Sequence, residues 1–156
     1  MEDLESISVG QILERGAAQV PHKIAVVDGE LRKTFAELNR TTDALAAALA
    51  RIGIKKGDRV AIYMKNSFEL IVVFYALQKL GAIAVWINSI YRKNEAVFIL
   101  NNADAKAVVI FCAWERDEYV SDAVVRKKAW PSRVMLRRVG GGGGAGGARC
   151  GGGWGC

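Results

Sequence analysis

DRVAIYMKNSFELIVVFYALQKLGAIAVWINSIYRKNEAVFILNNADAKAVVIF, residues 58–111, decides the fold. Behind the charged pair Asp58-Arg59 stands a short apolar run, Val60 to Met64, and Asn66 or Ser67 caps a helix that extends to Leu80. Gly81 ends that helix and opens a second β-rich run, Ile83 to Ile87. After a polar link containing Asn88 and Tyr91, a short helix around Glu95 to Leu100 gives way at Asn101-Asn102 to a third run, Ala107 to Phe111. Strands this continuously apolar are buried on both faces. Their alternation with helices predicts βαβ units with right-handed crossovers, an α/β fold on a mostly parallel sheet.

Upstream, Ser8 and Gln11 form a capping-box pattern before Val9, Ile12, Leu13, Ala17 and Val20, which recur at helical spacing until Pro21. An amphipathic helix is predicted there. Ile24 to Val27 and Leu31 to Thr34 flank Asp28-Gly29, the signature of a β-hairpin. A second capping box, Thr34 with Glu37, opens a longer helix with Phe35, Leu38, Leu45, Leu49 and Ile52 on one face, broken only by Thr42, until Gly53.

Downstream the pattern weakens. Asp117 to Lys128 has a helical composition, and Val134 to Val139 reads as a last strand made basic by Arg133, Arg137 and Arg138. Residues 140–156 hold 11 of the 17 glycines and have almost nothing to bury. That tail is predicted to be disordered, leaving residues 1–139 as the folded unit. Charge divides in the same way. Residues 1–111 carry 14 basic and 12 acidic side chains, net +2, and residues 112–156 carry 8 and 4, net +4, which together make the +6 of the chain.

Several function classes lose their chemistry at this level. Cys112, Cys150 and Cys156 make no CxxC pair, so neither a disulfide framework nor a zinc site is expected. The single histidine, His22, directly follows Pro21, which leaves a loop histidine and no catalytic dyad. Glu69 and Lys79 cut the stretch around residues 68–90 into uncharged runs of 9 and 12 residues, short of the roughly 18–20 that a spanning helix needs. The acidic start, Met1 to Glu5, has the wrong sign for a signal peptide, and a cytoplasmic location is expected.

Five pieces in order carry a resemblance: the helix before Pro21, IAVVDGELRKTFAELN, LAAALARIGIKKGDRVAIYMKNSFEL, ALQKLGAIAVWIN and YRKNEAVFILNNADAKAVVI. Together, over residues 7–111, they resemble the opening of an adenylate-forming (AMP-binding) enzyme, the superfamily of acyl-CoA synthetases, peptide-synthetase adenylation domains and luciferases. Lys33 to Asn39 is similar to the first core motif of that family, and Leu77 to Asn88 to the second. INSIYR followed by Glu95 leans toward acid:CoA ligases acting on fatty acids. Two departures are local: Lys65 and Trp86 stand where the family commonly has proline.

The resemblance implies the first part of a large N-terminal domain in an enzyme several times this length. Such an enzyme joins a carboxylate to AMP from ATP, releasing pyrophosphate, and then passes the acyl group to coenzyme A, with Mg²⁺. The matched motifs are structural, so no catalytic, cofactor-binding or metal-ligating residue is nominated. The Ser/Thr/Gly-rich phosphate loop, the Mg²⁺-holding Glu motif, the ribose-binding Asp and the catalytic Lys have no counterpart here. The glycine tail, without Ser, Thr, Lys or GK[ST], does not replace that loop.

An isolated chain with no bound cofactor and no activity is therefore expected, truncated by a frameshift after Phe111, near Ser132. Its expected partners are the remainder of the enzyme, as in a split pair, or a second copy meeting it through uncovered core. A nucleic-acid module using Arg133, Arg137, Arg138 and Arg149 with Trp130 or Trp154 is the weaker alternative, because only Arg149 and Trp154 interrupt the glycines with a charge or a ring.

Overall fold

A computed structural model describes residues 7–111 and 134–136. Helix α1 (Val9–Gln19) leads into a hairpin of β1 (Ile24–Asp28) and β2 (Leu31–Thr34), followed by α2 (Phe35–Arg51). The sheet unit then runs β3 (Arg59–Tyr63), α3 (Phe68–Leu80), β4 (Ile83–Ile87), α4 (Lys93–Asn102), β5 (Ala107–Phe111) and β6 (Val134–Leu136). Strand order is β4-β3-β5-β6 and every pairing is parallel, as the apolar runs required.

Successive residues of β3 and β5 point to opposite faces and are buried on both. Val60, Ile62, Ala107 and Val109 pack with Leu13, Leu49, Val73 and Leu77 of α1, α2 and α3. Ala61, Tyr63, Val108 and Ile110 pack with Ala96 and Leu100 of α4. The crossovers β3–α3–β4 and β4–α4–β5 travel in opposite directions across the sheet. They keep one hand only by lying on opposite faces, which is where α3 and α4 are.

The caps form as their sequences dictate. Ser8 Oγ accepts from Gln11 N–H at 3.4 Å while Gln11 Oε1 accepts from Ser8 N–H at 2.8 Å. Thr34 Oγ1 accepts from Glu37 N–H at 3.3 Å and Glu37 Oε2 from Thr34 N–H at 2.9 Å. Of the two candidates for α3, Ser67 is the cap, its Oγ accepting from Leu70 N–H at 3.3 Å. Gly81 closes α3 in the left-handed conformation, φ +68°, where a Cβ is costly.

Five details depart from the sequence reading. Strand β4 is not buried on both faces along its length, since Ile83 and Trp86 are exposed where the sheet ends. The hairpin turn is Gly29-Glu30, between the paired residues Asp28 and Leu31, and only Gly29 has positive φ, the pattern of a type II′ turn. Helix α4 continues through Asn101-Asn102, and the reversal falls on Asp104, φ 46°, whose carboxylate pairs with Arg59. Ile52 lies beyond the last residue of α2 and is exposed, so it is not part of that helix's buried stripe. On α1, Gly10 and Leu13 are buried whereas Val9, Ile12 and Val20 are exposed. The reason is close approach: a Cβ on Gly10 would stand 3.0 Å from Cα of Lys79, so the helix seats its smallest residue against α3 and turns part of its apolar stripe outward.

The predicted helix at Asp117–Lys128 and the glycine tail lie outside the described residues, as do the three cysteines. Of the predicted strand Val134–Val139, residues 134–136 form β6.

Candidate functional site

The sheet changes direction between β3 and β5, since β3 leads to β4 on one side and β5 to β6 on the other. Ligands of open α/β sheets bind outside the carboxyl ends of the strands at such a reversal. At the carboxyl ends of β3 and β4 the described residues are Met64 to Ser67, after Tyr63, and Asn88 to Arg92, while the residues after β5 lie outside the described ones. Tyr63 is buried and donates its hydroxyl to the carbonyl of Tyr91, pulling the second loop over the strand end. Asn88 Oδ1 accepts from Ile90 N–H at 3.0 Å, and Arg92 N–H donates to Glu95 Oε2 at 3.1 Å, so that loop enters α4 already braced. Lys65, Asn66 and Asn88 are exposed.

The first amide of α3 is not available to a ligand. Asp28, at the tip of the hairpin, accepts from Phe68 N–H at 2.9 Å through Oδ2. A carboxylate of the chain itself thus sits where the helix dipole favours an anion, and it anchors the hairpin on the sheet unit. Asp28 was legible in the sequence only as a turn residue, because a contact across 40 positions leaves no local signal.

The opposite end of the sheet is held by charges. Lys106 Nζ donates to Gly53 O at 2.8 Å and to Asp58 Oδ2, and Lys106 N–H donates to Arg59 O at 2.7 Å. Arg59 pairs with Asp104 through both its side-chain carboxylate and its carbonyl. The Lys79 side chain is buried, and its ammonium joins three helices through Asn39 Oδ1 at 2.7 Å, Asp43 Oδ1 at 2.5 Å and Glu14 Oε1 at 3.1 Å.

Seven of the described acids, Glu14, Asp28, Glu37, Asp43, Asp58, Glu95 and Asp104, are therefore committed to structure. The Lys106 ammonium, followed by the Lys55 amide, holds the Asp58 carboxyl below its ordinary pKa. The Thr34 amide and then its hydroxyl do the same to Glu37. Among the described residues no three His, Cys, Asp or Glu side chains gather into a set able to hold a metal ion. His22 lies exposed in the turn after α1, and Thr34, Glu37 and Gly81 act at helix ends. The arrangement can position chain and exclude water. The hydroxyl of Thr34 donates to Glu37 Oε2 at 3.1 Å as part of the α2 cap. No helix among the described residues is long and apolar enough to cross a membrane. Arg133, Arg137, Arg138, Arg149, Trp130 and Trp154 of the nucleic-acid alternative lie outside the described residues.

Comparison with known proteins gives this scaffold its relatives. The AMP-binding enzyme family matches residues 13–139. The long-chain-fatty-acid–CoA ligase FadD13 of Mycobacterium tuberculosis is 38% identical over 104 residues, which are 65% of this chain and 21% of that protein. The mitochondrial medium-chain acyl-CoA ligase ACSF2 of Homo sapiens is 33% identical over 118 residues, 74% of this chain and 19% of that one. Among solved structures, the N-terminal domain of FACL13 from Mycobacterium tuberculosis aligns with a TM-score of 0.73 at 32% identity, over 84% of this chain and 34% of that one. The chain spans about a fifth of the length of the curated relatives it matches.

Proposed function

We propose, from the premise that the chain belongs to the AMP-binding enzyme family, that it forms the opening part of the large domain of an acid:CoA ligase acting on fatty acids. In that reaction a carboxylate oxygen attacks the α-phosphorus of ATP and pyrophosphate leaves. The thiol of coenzyme A then attacks the acyl carbon and AMP leaves. The observation that carries the reading is the family match over residues 13–139, together with the structural likeness to the FACL13 N-terminal domain. The fatty-acid class rests on the activities of the two ligases and on INSIYR, which runs from the end of β4 into the loop after it.

Within such an enzyme these residues supply scaffold. Caps fix where helices begin, the buried strands fix the sheet, and the ion pairs at its amino end fix the loops there. Because most of the described acids are engaged in caps and pairs and none gather in threes, we assign Mg²⁺, nucleotide and coenzyme A to the rest of the large domain and to a smaller C-terminal domain. On this reading the 156-residue chain neither binds ATP tightly nor forms acyl-adenylate by itself. Its partner is the remainder of the enzyme, and its compartment is the cytoplasm, where ATP and coenzyme A meet free fatty acids.

Co-expression tests the assignment: residues 1–139 are paired with a FadD13 chain that begins after the matched segment, and acyl-CoA formation from a long-chain acid is followed. Acyl-CoA formed by the pair, and by neither half, supports it. A stable pair that consumes no ATP with any fatty acid contradicts it.

A further inference from the structure

β4 is an edge strand: among the described residues its inner side pairs with β3 and nothing pairs with its outer side. The phase of its amides is fixed, because Ile83 N–H donates inward to Asp58 O at 2.8 Å. Backbone groups alternate along a strand, so Ala84 and Trp86 direct their N–H and C=O groups outward. Soluble proteins blunt such edges with lysine, proline, bulges or covering chain. Ile83-Ala84-Val85-Trp86-Ile87 has no charge and no proline, and its pairing with β3 runs without a bulge. Ile83 and Trp86 are each about half exposed, at 50% and 51%, and Trp86 leans on Phe74 with ring centroids 5.5 Å apart.

We propose that this edge pairs with the same edge of a second copy, antiparallel, about a twofold axis through Val85. The strand is complementary to itself in that register. Ala84 and Trp86 of opposite copies exchange both their hydrogen bonds, which satisfies the outward groups of each. On the α3 face the large Trp86 then lies opposite the small Ala84 of the other copy, and on the α4 face Val85 meets Val85, a β-branched pair at a close, non-hydrogen-bonded position. No like charges are opposed anywhere along the strand. An isologous pairing of this kind uses up the edge and closes at two copies. The proposal is independent of the ligase reading, since it rests on the edge alone.

The test is sedimentation of the full chain over a range of concentrations, with hydrogen exchange of the Ala84 and Trp86 amides followed in parallel. The expected result is a monomer–dimer equilibrium in which both amides slow as dimer forms. Trp86→Pro removes an outward donor at an edge position where proline is tolerated, and should weaken the dimer by about tenfold or more. Trp86→Lys keeps the donor but opposes two charges across the axis, and should weaken it similarly. A chain monomeric at every concentration overturns the proposal, as do association untouched by both variants and assemblies growing past two. So does protection of these amides in the monomer, which would mean that the chain's own residues cover the edge.

Discussion

The two ends of the parallel sheet are built differently. At the amino end, Lys106, Arg59 and Lys79 reach across elements to carboxylates and carbonyls, and Gly57 N–H donates to Gly81 O at 2.9 Å. At the carboxyl end the loops carry exposed Lys65, Asn66, Asn88 and Arg92, braced by Tyr63 on Tyr91 and Asp28 on Phe68. The contrast gathers the ion pairs at one end and leaves exposed loops at the other, where α/β sheets place their ligands.

The largest loss is expected at the amino end. Gly81→Val forces a β-branched residue into φ +68° with its Cβ 3.0 Å from Cγ of Lys56, and should cost about 2 kcal/mol in urea unfolding. Next comes Lys79→Met, which keeps the buried stem but removes the ammonium from three oxygens, for about 1.5 kcal/mol. A helix cap elsewhere sets the middle of the scale: Thr34→Ala, which leaves the Glu37 N–H without its side-chain acceptor, should cost about 1 kcal/mol.

Legibility in the sequence followed the range of each interaction. Ser8 and Thr34 were readable as caps because the donors they satisfy lie three residues away, whereas the cap of α3 was narrowed only to Asn66 or Ser67. Gly81 was readable because a helix end needs a left-handed residue at a fixed place. The parallel sheet was readable from uniformly apolar strands. Contacts between distant elements were not: Lys79 reaches Asn39, and Lys106 reaches Asp58, across tens of residues with no pattern to mark them. The outward half of the α1 stripe misled for the same reason, since only the packed helices reveal that Gly10 faces α3. At the candidate site, Ser67 and Asn88 stood out locally, while the hold of Tyr63 on the loop needed the fold.

Acid should expose the amino end further. Asp58 and Glu37 both titrate below their ordinary values in the folded chain, so the unfolded chain binds more protons below about pH 5 and stability falls as pH drops through that window. Lys106→Met removes the first cause at Asp58. Its effect should be largest near neutrality, where Asp58 is charged in both states, and should shrink as pH falls, so that the variant loses stability on acidification less steeply than the parent, read as unfolding midpoints from pH 7 to pH 3. The smallest effects belong to exposed positions: Asn66→Ala at the carboxyl end and His22→Ala in its turn should stay within about 0.5 kcal/mol of the parent. A His22→Ala loss larger than that of Gly81→Val would break the comparison and assign the histidine a role that its exposure hides.

The central claim is that this part of an adenylate-forming enzyme supplies scaffold while other chain supplies the chemistry. Carboxylate-dependent exchange of radiolabelled pyrophosphate into ATP by the purified 156-residue chain tests it most directly. The account predicts exchange at background with every fatty or aromatic acid offered. Exchange above background that rises with added acid, and persists through further purification, would contradict it.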